Sequence, residues 1–554
     1  MRLLKIIFLF ILLIPFASAK TGHMKLLTVG GVNETGGVAD LLLEVKPGTG
    51  RIFIDSFPLT KLDTQISTRF ANEIACDFLD ENCNRYDFFY TIRAGATIVG
   101  GPSAGAAMAV LTVSVLDDLE MDEETIMTGT INSGGLIGPV AGIDLKVNAA
   151  IDEGFTKILL PKWQSTVNIS KIEEKGLDEK ITIVKVKNLE EALYYFTGKD
   201  FSKKDYELLV SEDYNKKMKE VADLLCQRSE DIIINVEKTD ESLYISAEDH
   251  LNRSIEAAMK EDSYSRASYC FSANLRLREI EFSNKTSEEL QLILEETLYQ
   301  WKIMDATINN TVLQTLSDLE TYMVVKERLS ESKAYLDEID EKNISYETLA
   351  YAKERLFSAV SWAKFFELDG IKIQLDESHL MNVCLKKTAE AEERISYAKL
   401  YLPTLLEGAE EEISLALKEY NQGEYALCIF KASKAKAKAD IILTALTIHE
   451  DEMEMVLQEK FEAIKRVIVE QNAKGMFPIL GYSYFEYSKS LIEYDPISSM
   501  TFAEYALEFS KLDMYFPKEN QASIHIEPLH IQLFSFGLIA GAALIMLICL
   551  RRKK

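Results

Sequence analysis

The sequence predicts an α+β amino-terminal domain, an all-α region behind it, and one transmembrane helix near the carboxyl end. Three observations carry this reading. Up to Gly198, short alternating apolar segments are interleaved with helical patterns and glycine-rich turns, the mark of strands mixed with helices. Nineteen of the 26 glycines lie at or before Gly198, and from Lys199 to Leu402 there is no proline and one glycine, Gly370. Long stretches without breakers read as helix. Residues 531–550 carry no charge, which is long enough to span a bilayer, and Arg551-Arg552-Lys553-Lys554 follows as a cytoplasmic-side flank.

In the first domain, 26–29 and 39–45 read as strands between the Gly30-Gly31 and Gly36-Gly37 turns, and 51–55 as a short strand. Residues 64–79 read as a helix. A strand over 91–99 runs into Gly100-Gly101-Pro102-Ser103-Ala104-Gly105, and 104–116 reads as a buried helix rich in Ala, Val, Leu and Met. An acidic surface loop covers 117–124. Then come a strand over 126–131, a helix over 144–153 stopped by Gly154, and strands over 157–160 and 181–186. Asn188 caps a last helix that ends at Gly198.

The remaining helices carry most of the net charge of −27, which argues against a nucleic-acid partner. Tyr-Ala pairs recur near Tyr351, Tyr397, Tyr425 and Tyr505 without a fixed period, so a repeat array, a bundle and a rod-like stalk all stay open. The lysine cluster at 431–438 reads as a solvated helix face. Arg2, Lys5, an apolar run over 6–14 and Ala17-Ser18-Ala19 read as a secretory signal. An exported location permits disulfides, and the six cysteines outside the expected span allow fifteen connectivities. Cys76 and Cys83 are the nearest pair. In one continuous helix they would sit roughly 10 Å apart, so a bond requires the helix to break near Asp80-Glu81-Asn82. No cysteine spacing suits zinc.

The chemistry concentrates at Ser103. Its strand-to-helix junction places it beside a helix N-terminus, where unpaired N–H groups and the dipole can hold an oxyanion. The simpler reading of a serine there is a helix cap. Gly101-Pro102-Ser103-Ala104-Gly105 also fits the G-x-S-x-G elbow of hydrolases that pair serine with histidine. No histidine lies between residues 24 and 249, which excludes a Ser-His-Asp triad inside this domain. A nucleophilic Ser103 therefore needs another base, and lysine is the usual substitute. No Lys-Ser/Thr pair follows the glycines, so a phosphate-binding loop is excluded as well.

Residues 92–161 resemble the proteolytic domain of the Lon family. The resemblance is carried by Gly101-Pro102-Ser103-Ala104-Gly105, by Met127-Thr128-Gly129-Thr130-Ile131, and by Pro139-Val140-Ala141-Gly142-Ile143-Asp144-Leu145-Lys146-Val147-Asn148-Ala149-Ala150 with Gly154-Phe155-Thr156-Lys157-Ile158-Leu159-Leu160-Pro161. The three boxes fall in family order and spacing. A weaker likeness extends upstream through Glu34-Thr35-Gly36-Gly37 and downstream to about Gly198. Gly100, Thr130 and Asp144 depart from common family residues. The resemblance implies a Lon-like α+β proteolytic fold, a Ser103–Lys146 dyad with Thr128 hydrogen-bonded to the lysine, and a homo-oligomeric ring. Gly101, Pro102 and Ala104 would shape the oxyanion site.

The expected organisation is a signal at 1–19, a Lon-like domain at 20–198, an acidic helical domain at 199–528, a transmembrane helix at 529–550 and a tail at 551–554. The expected location is the cell membrane, single-pass, with the bulk outside. The expected activity is that of a membrane-anchored serine endopeptidase acting on flexible polypeptides. No cofactor or metal is expected, and without a Walker A sequence neither is ATP dependence. The alternative is a non-catalytic surface scaffold or adhesion protein that retains the fold.

Overall fold

The computed structural model describes residues 19–516 apart from 31–34, 58, 60, 96–100, 165–180, 202–207, 401, 403, 446–447 and 449–451, together with 537, 541 and 542. A mixed seven-stranded sheet organises the first domain, in the order β3-β4-β2-β1-β5-β8-β9. Its centre is the antiparallel ribbon of β1 (Lys20–Gly30) and β2 (Thr35–Pro47), registered from Lys20 opposite Val45 to Gly30 opposite Thr35. On one side β4 (Tyr86–Ala94) runs antiparallel to β2, and β3 (Ile52–Phe57) runs parallel to β4 at the edge. On the other side β5 (Thr125–Met127), β8 (Lys157–Pro161) and β9 (Thr182–Val186) continue the sheet in parallel.

Helix α1 (Leu62–Phe78) and helix α2 (Gly105–Leu116) pack together, and α2 lies on β1 and β2. Every residue of α2 from Gly105 to Val115 is buried, as befits a helix that is apolar on all sides. Helix α3 (Ile143–Asp152) packs on the same ribbon. It approaches closely because Gly36 has no side chain: a Cβ there would stand 2.0 Å from the Leu145 carbonyl oxygen. Helix α4 (Leu189–Thr197) starts on the Asn188 side chain, which accepts from the Glu191 amide, and ends at Gly198 as the sequence predicts.

Two local expectations change. The single strand over 126–131 is split. β5 belongs to the large sheet, whereas β6 (Thr130–Ile131) pairs with β7 (Ile137–Gly138). The break is at Gly129: the Thr128 amide still bonds Leu159 O of β8, whereas the Gly129 amide turns to the Ser103 carbonyl. The expected strand over 91–99 ends at Ala94, and residues 96–100 lie outside the described residues. Cys76 and Cys83 are bonded, and the helix breaks where that bond requires: α1 stops at Phe78 and Asp80 takes φ 51°.

Behind this domain the described residues form four three-helix units. They are α5 (Glu212–Ile233), α6 (Glu241–Met259) and α7 (Ser263–Ser283); α8 (Ser287–Asn309), α9 (Leu316–Glu338) and α10 (Tyr346–Trp362); α11 (Glu377–Lys399), α12 (Glu407–Asn421) and α13 (Tyr425–Ala445); and α14 (Met453–Ala473), α15 (Ile479–Leu491) and α16 (Pro496–Ser510). In each unit the second and third helices pack against one another, and in the first and third units the first helix packs on the third about as closely. Cys226–Cys270 and Cys384–Cys428 tie first helix to third in two units, each across a separation of 44 residues. Ser211, Asp240, Asp262, Thr286, Thr315 and Ser345 each accept the third helical amide of their helix, a cap worth about 1 kcal/mol apiece.

The lysine cluster at 431–438 is not a solvated face. α13 is buried, and its lysines meet carboxylates of neighbouring helices: Lys434 and Lys438 pair with Glu412 at 3.1 and 2.9 Å, and Lys436 pairs with Glu508. The acidic composition around them is what makes burial of these ammonium groups affordable.

The membrane expectations are corrected. Among the described residues no helix is long and apolar enough to cross a membrane. Among the described residues the architecture is an α/β domain followed by a helical region with no spanning helix, and a single-pass membrane location is not supported. An uncharged run of sufficient length is a condition for a span and does not by itself make one. The run at 531–550 lies outside the described residues but for 537, 541 and 542, and the expected signal at 1–18 also lies outside them.

The Gly36 contact generates a stability prediction. Gly36→Ala forces α3 away from β2, and thermal unfolding should report a loss of about 1–3 kcal/mol. An unchanged melting temperature would mean that the close approach is not constraining.

Candidate active site

Three segments converge: the turn that leads into α2, the link between β5 and β6, and the first half of α3. Gly101 stands at φ 98°, a conformation that a residue with a side chain adopts only under strain, and it opens the turn Pro102–Ala104 that leads into α2. The turn is tied to α1: the Thr64 and Ser67 hydroxyls donate to the carbonyls of Gly101 and Pro102, both at 3.4 Å. Pro102 is buried and has no N–H, so it shapes the turn without donating. Ser103 is half-buried.

Ser103 is joined to Thr128 and Lys146 through its own carbonyl. The Gly129 amide donates to Ser103 O at 3.0 Å and the Thr128 hydroxyl donates to it at 3.1 Å. Gly129 O in turn accepts from the Ala106 amide at 3.1 Å, inside the first turn of α2. The Lys146 ammonium nitrogen donates to Thr128 Oγ1 at 3.3 Å. The structure thus brings together all three residues that the sequence singles out. Among the described residues, Ser103 Oγ and Lys146 Nζ form no direct hydrogen bond with one another.

Lys146 is 3 % exposed. Burial pulls its pKa from 10.5 down to about 7, and among the described residues no charge opposes it. Asp144, two residues earlier, is exposed. Such an amine is partly neutral at physiological pH and can accept a proton, which an ordinary lysine cannot.

Among the described residues no group of three or more His, Cys, Asp or Glu side chains is placed to hold a metal ion. A cavity of about 920 Å³ opens between α4, α14 and the segment that precedes α3. Pro139, Trp163, Tyr194, Glu459 and Arg466 line it, and Ser103, Thr128 and Lys146 do not. Sequence reasoning did not anticipate this junction. Lys162 pairs with Glu459 of α14, and Trp163 Nε1 donates to the same carboxylate at 2.9 Å. The signal was absent because partners nearly 300 residues apart leave no local pattern.

The buried amine has a consequence for stability. Between about pH 7 and 10.5 the unfolded chain binds more protons at Lys146 than the folded one, so folding stability rises with pH across that window. Lys146→Met removes the cost. It should be more stable than the parent by roughly 4 kcal/mol near pH 7, with the advantage shrinking towards pH 10. Denaturant titrations of both proteins at several pH values measure it, and a constant difference would show that Lys146 is not held in its depressed state.

Residues 65–197 match the family model of the Lon protease (S16) C-terminal proteolytic domain. The chain is similar to the Lon protease of Fervidobacterium nodosum, 31% identical over 159 residues that cover 28% of this chain and 19% of the relative. It is 44% identical to the Lon protease of Methylocella silvestris over 91 residues, 16% of this chain and 11% of the relative. It is 33% identical to the Lon protease of Trichlorobacter lovleyi over 117 residues, 21% of this chain and 14% of the relative. The chain therefore spans less than a fifth of the length of these relatives. The likeness is to the proteolytic domain of Lon proteases, and it falls on the part of the chain that holds Ser103, Thr128 and Lys146.

Proposed function

We propose that the chain is an ATP-independent serine endopeptidase that hydrolyses flexible polypeptides through Ser103 and Lys146. The observation that carries this reading is the buried, partly neutral Lys146, bonded to the threonine that grips the Ser103 backbone. Neutral Lys146 takes the Ser103 hydroxyl proton as Oγ attacks the peptide carbonyl. The C–O bond forms, the carbonyl electron pair moves to oxygen, and backbone N–H groups around Gly101 and Ala104 hold that oxyanion. The intermediate collapses with cleavage of the C–N bond, and the Lys146 ammonium gives its proton to the leaving amine. Water then attacks the acyl-serine as Lys146 takes the water proton, and Lys146 passes that proton to Ser103 Oγ as the C–O bond to serine breaks, releasing the new carboxyl group. Thr128 keeps the amine oriented throughout.

The substrate class rests on the absence of a Walker A sequence: without energy-driven unfolding, only flexible segments reach the site. Extended, unfolded polypeptide enters such a site more readily than a folded protein. A homo-oligomer is the assembly that the family likeness suggests. The alternative, a non-catalytic scaffold in which Ser103 is only a cap, leaves the depressed Lys146 without a use.

Turnover of a disordered protein such as casein tests the reading. Ser103→Ala should lower turnover by about a thousandfold or more. Lys146→Arg should do the same, because guanidinium stays protonated. Parental activity should climb with pH through about 7 and then level off, since the neutral amine is the active form. Turnover that survives Ser103→Ala in a preparation free of other proteases would favour the scaffold. Removing or adding ATP should change nothing, and stimulation of the purified chain would show a nucleotide site that the sequence does not reveal.

A further inference from the structure

Between Thr128 and Lys146 the chain runs through residues 131–141, and the helical region holds that segment at four points. Arg394 of α11 donates to Ile131 O at 3.1 Å. The Ser133 hydroxyl donates to Glu508 of α16 at 2.6 Å. Arg466 of α14 donates to Gly134 O at 2.8 Å. The Tyr397 hydroxyl of α11 accepts from the Ala141 amide at 2.9 Å. Three of the four are backbone groups, so the contacts fix the path of the chain itself.

The holding side chains are rigid in their turn. Glu508 is 2 % exposed and is paired with Lys387 at 2.8 Å and with Lys436. Burial would raise its pKa, but the two ammonium groups outweigh that and bring it down to about 2. Arg394 is anchored to Asp440 at 3.0 Å. Val467 and Leu507 close over Gly134. Both ends of the segment bear on the site. Ile131 lies against Gly105, two residues beyond Ser103. Ala141 precedes Gly142, whose carbonyl accepts the Lys146 amide at 3.1 Å.

We propose that the helical region is the positioning element of the Ser103–Lys146 site, with Arg394, Tyr397, Arg466 and Glu508 fixing residues 131–141 and thereby setting Lys146, dry, against Thr128. The effect on turnover rests on the dyad reading, whereas the effect on Lys146 itself does not. A segment freed at one of these points lets α3 shift and admits water to the amine, which restores the charged form. A small displacement at a reacting group is costly in rate even when binding is unchanged.

The test uses the full chain with Tyr397→Phe, Ser133→Ala and the double variant. Tyr397→Phe keeps the buried ring and Ser133→Ala trims one oxygen, so both retain the core. Lys146 is titrated through the side-chain carbon-13 resonance of labelled lysine, assigned by its loss in Lys146→Arg. The midpoint should start near 7 in the parent and rise by about one unit or more in the variants. On a disordered substrate, kcat should fall about tenfold or more with KM within about twofold, most in the double variant. A merely structural contact would lower the melting temperature and leave the Lys146 midpoint in place. Folded Tyr397→Phe and Ser133→Ala proteins that keep the parental midpoint overturn the proposal, whether or not the parent is a peptidase. Failure of the dyad reading looks different: turnover survives Ser103→Ala while the Lys146 titration still responds to the variants.

Discussion

One buried amine without a counter-charge sets the terms for the rest of the structure. Taking the Lys146 side chain out of water is unfavourable, and among the described residues no charge offsets it. The folded chain tolerates the cost because the surrounding packing leaves the amine nowhere else to go. α3 is pressed onto β2 at the side-chain-free Gly36, and Val147, Ala149 and Ala150 are buried around the lysine on the same helix. Loosening any of these contacts would let the amine reach water and recover its charge. The depressed pKa is thus a property of packing, and packing is what the remaining contacts defend.

The helical region treats its own buried lysines in the opposite way. Lys387 is as buried as Lys146, yet burial there is overridden by Glu390 and Glu508, which raise its pKa above the ordinary value. Lys434 likewise is raised by Glu327 and Glu412 in spite of its burial. Paired charges of this kind add little net stability, since desolvation cancels much of the attraction, but breaking one leaves its partner stranded. They specify which surfaces meet. Within one chain, then, buried ammonium groups are of two kinds: those paired with carboxylates of neighbouring helices, and Lys146, which meets the Thr128 hydroxyl.

Much of the α/β domain was legible from local pattern. The turn at Gly101, the apolar run of α2, the Asn188 cap and the Gly198 stop are each set by residues within a few positions of one another, and each falls where the pattern places it. The proximity of Ser103, Thr128 and Lys146 was legible only through motif spacing, and the structure joins them through hydrogen bonds rather than through a direct Ser103–Lys146 contact. The split of β5 from β6 was not legible, because Thr130 and Ile131 are good strand formers and leave the sheet only to satisfy partners elsewhere. The lysines of α13 were misread for a related reason. Their carboxylate partners lie on other helices, and a charge run looks the same in sequence whether its face meets water or acid.

The seating of the two domains turns on backbone groups rather than on side-chain chemistry at the site. Ile131 O, Gly134 O and Ala141 N find their partners on α11 and α14, outside the α/β domain. A backbone carbonyl or amide buried without a partner costs about as much as a lost hydrogen bond, so these groups must be met by the helical region or by water. If water met them, the segment between Thr128 and Lys146 would be wet along its length, and the amine could not stay dry at its end. Docking of the helical region and neutrality of Lys146 are therefore two aspects of one desolvation problem. The buried charges on α11, α13 and α16 pair with one another across the helices that seat the helical region there.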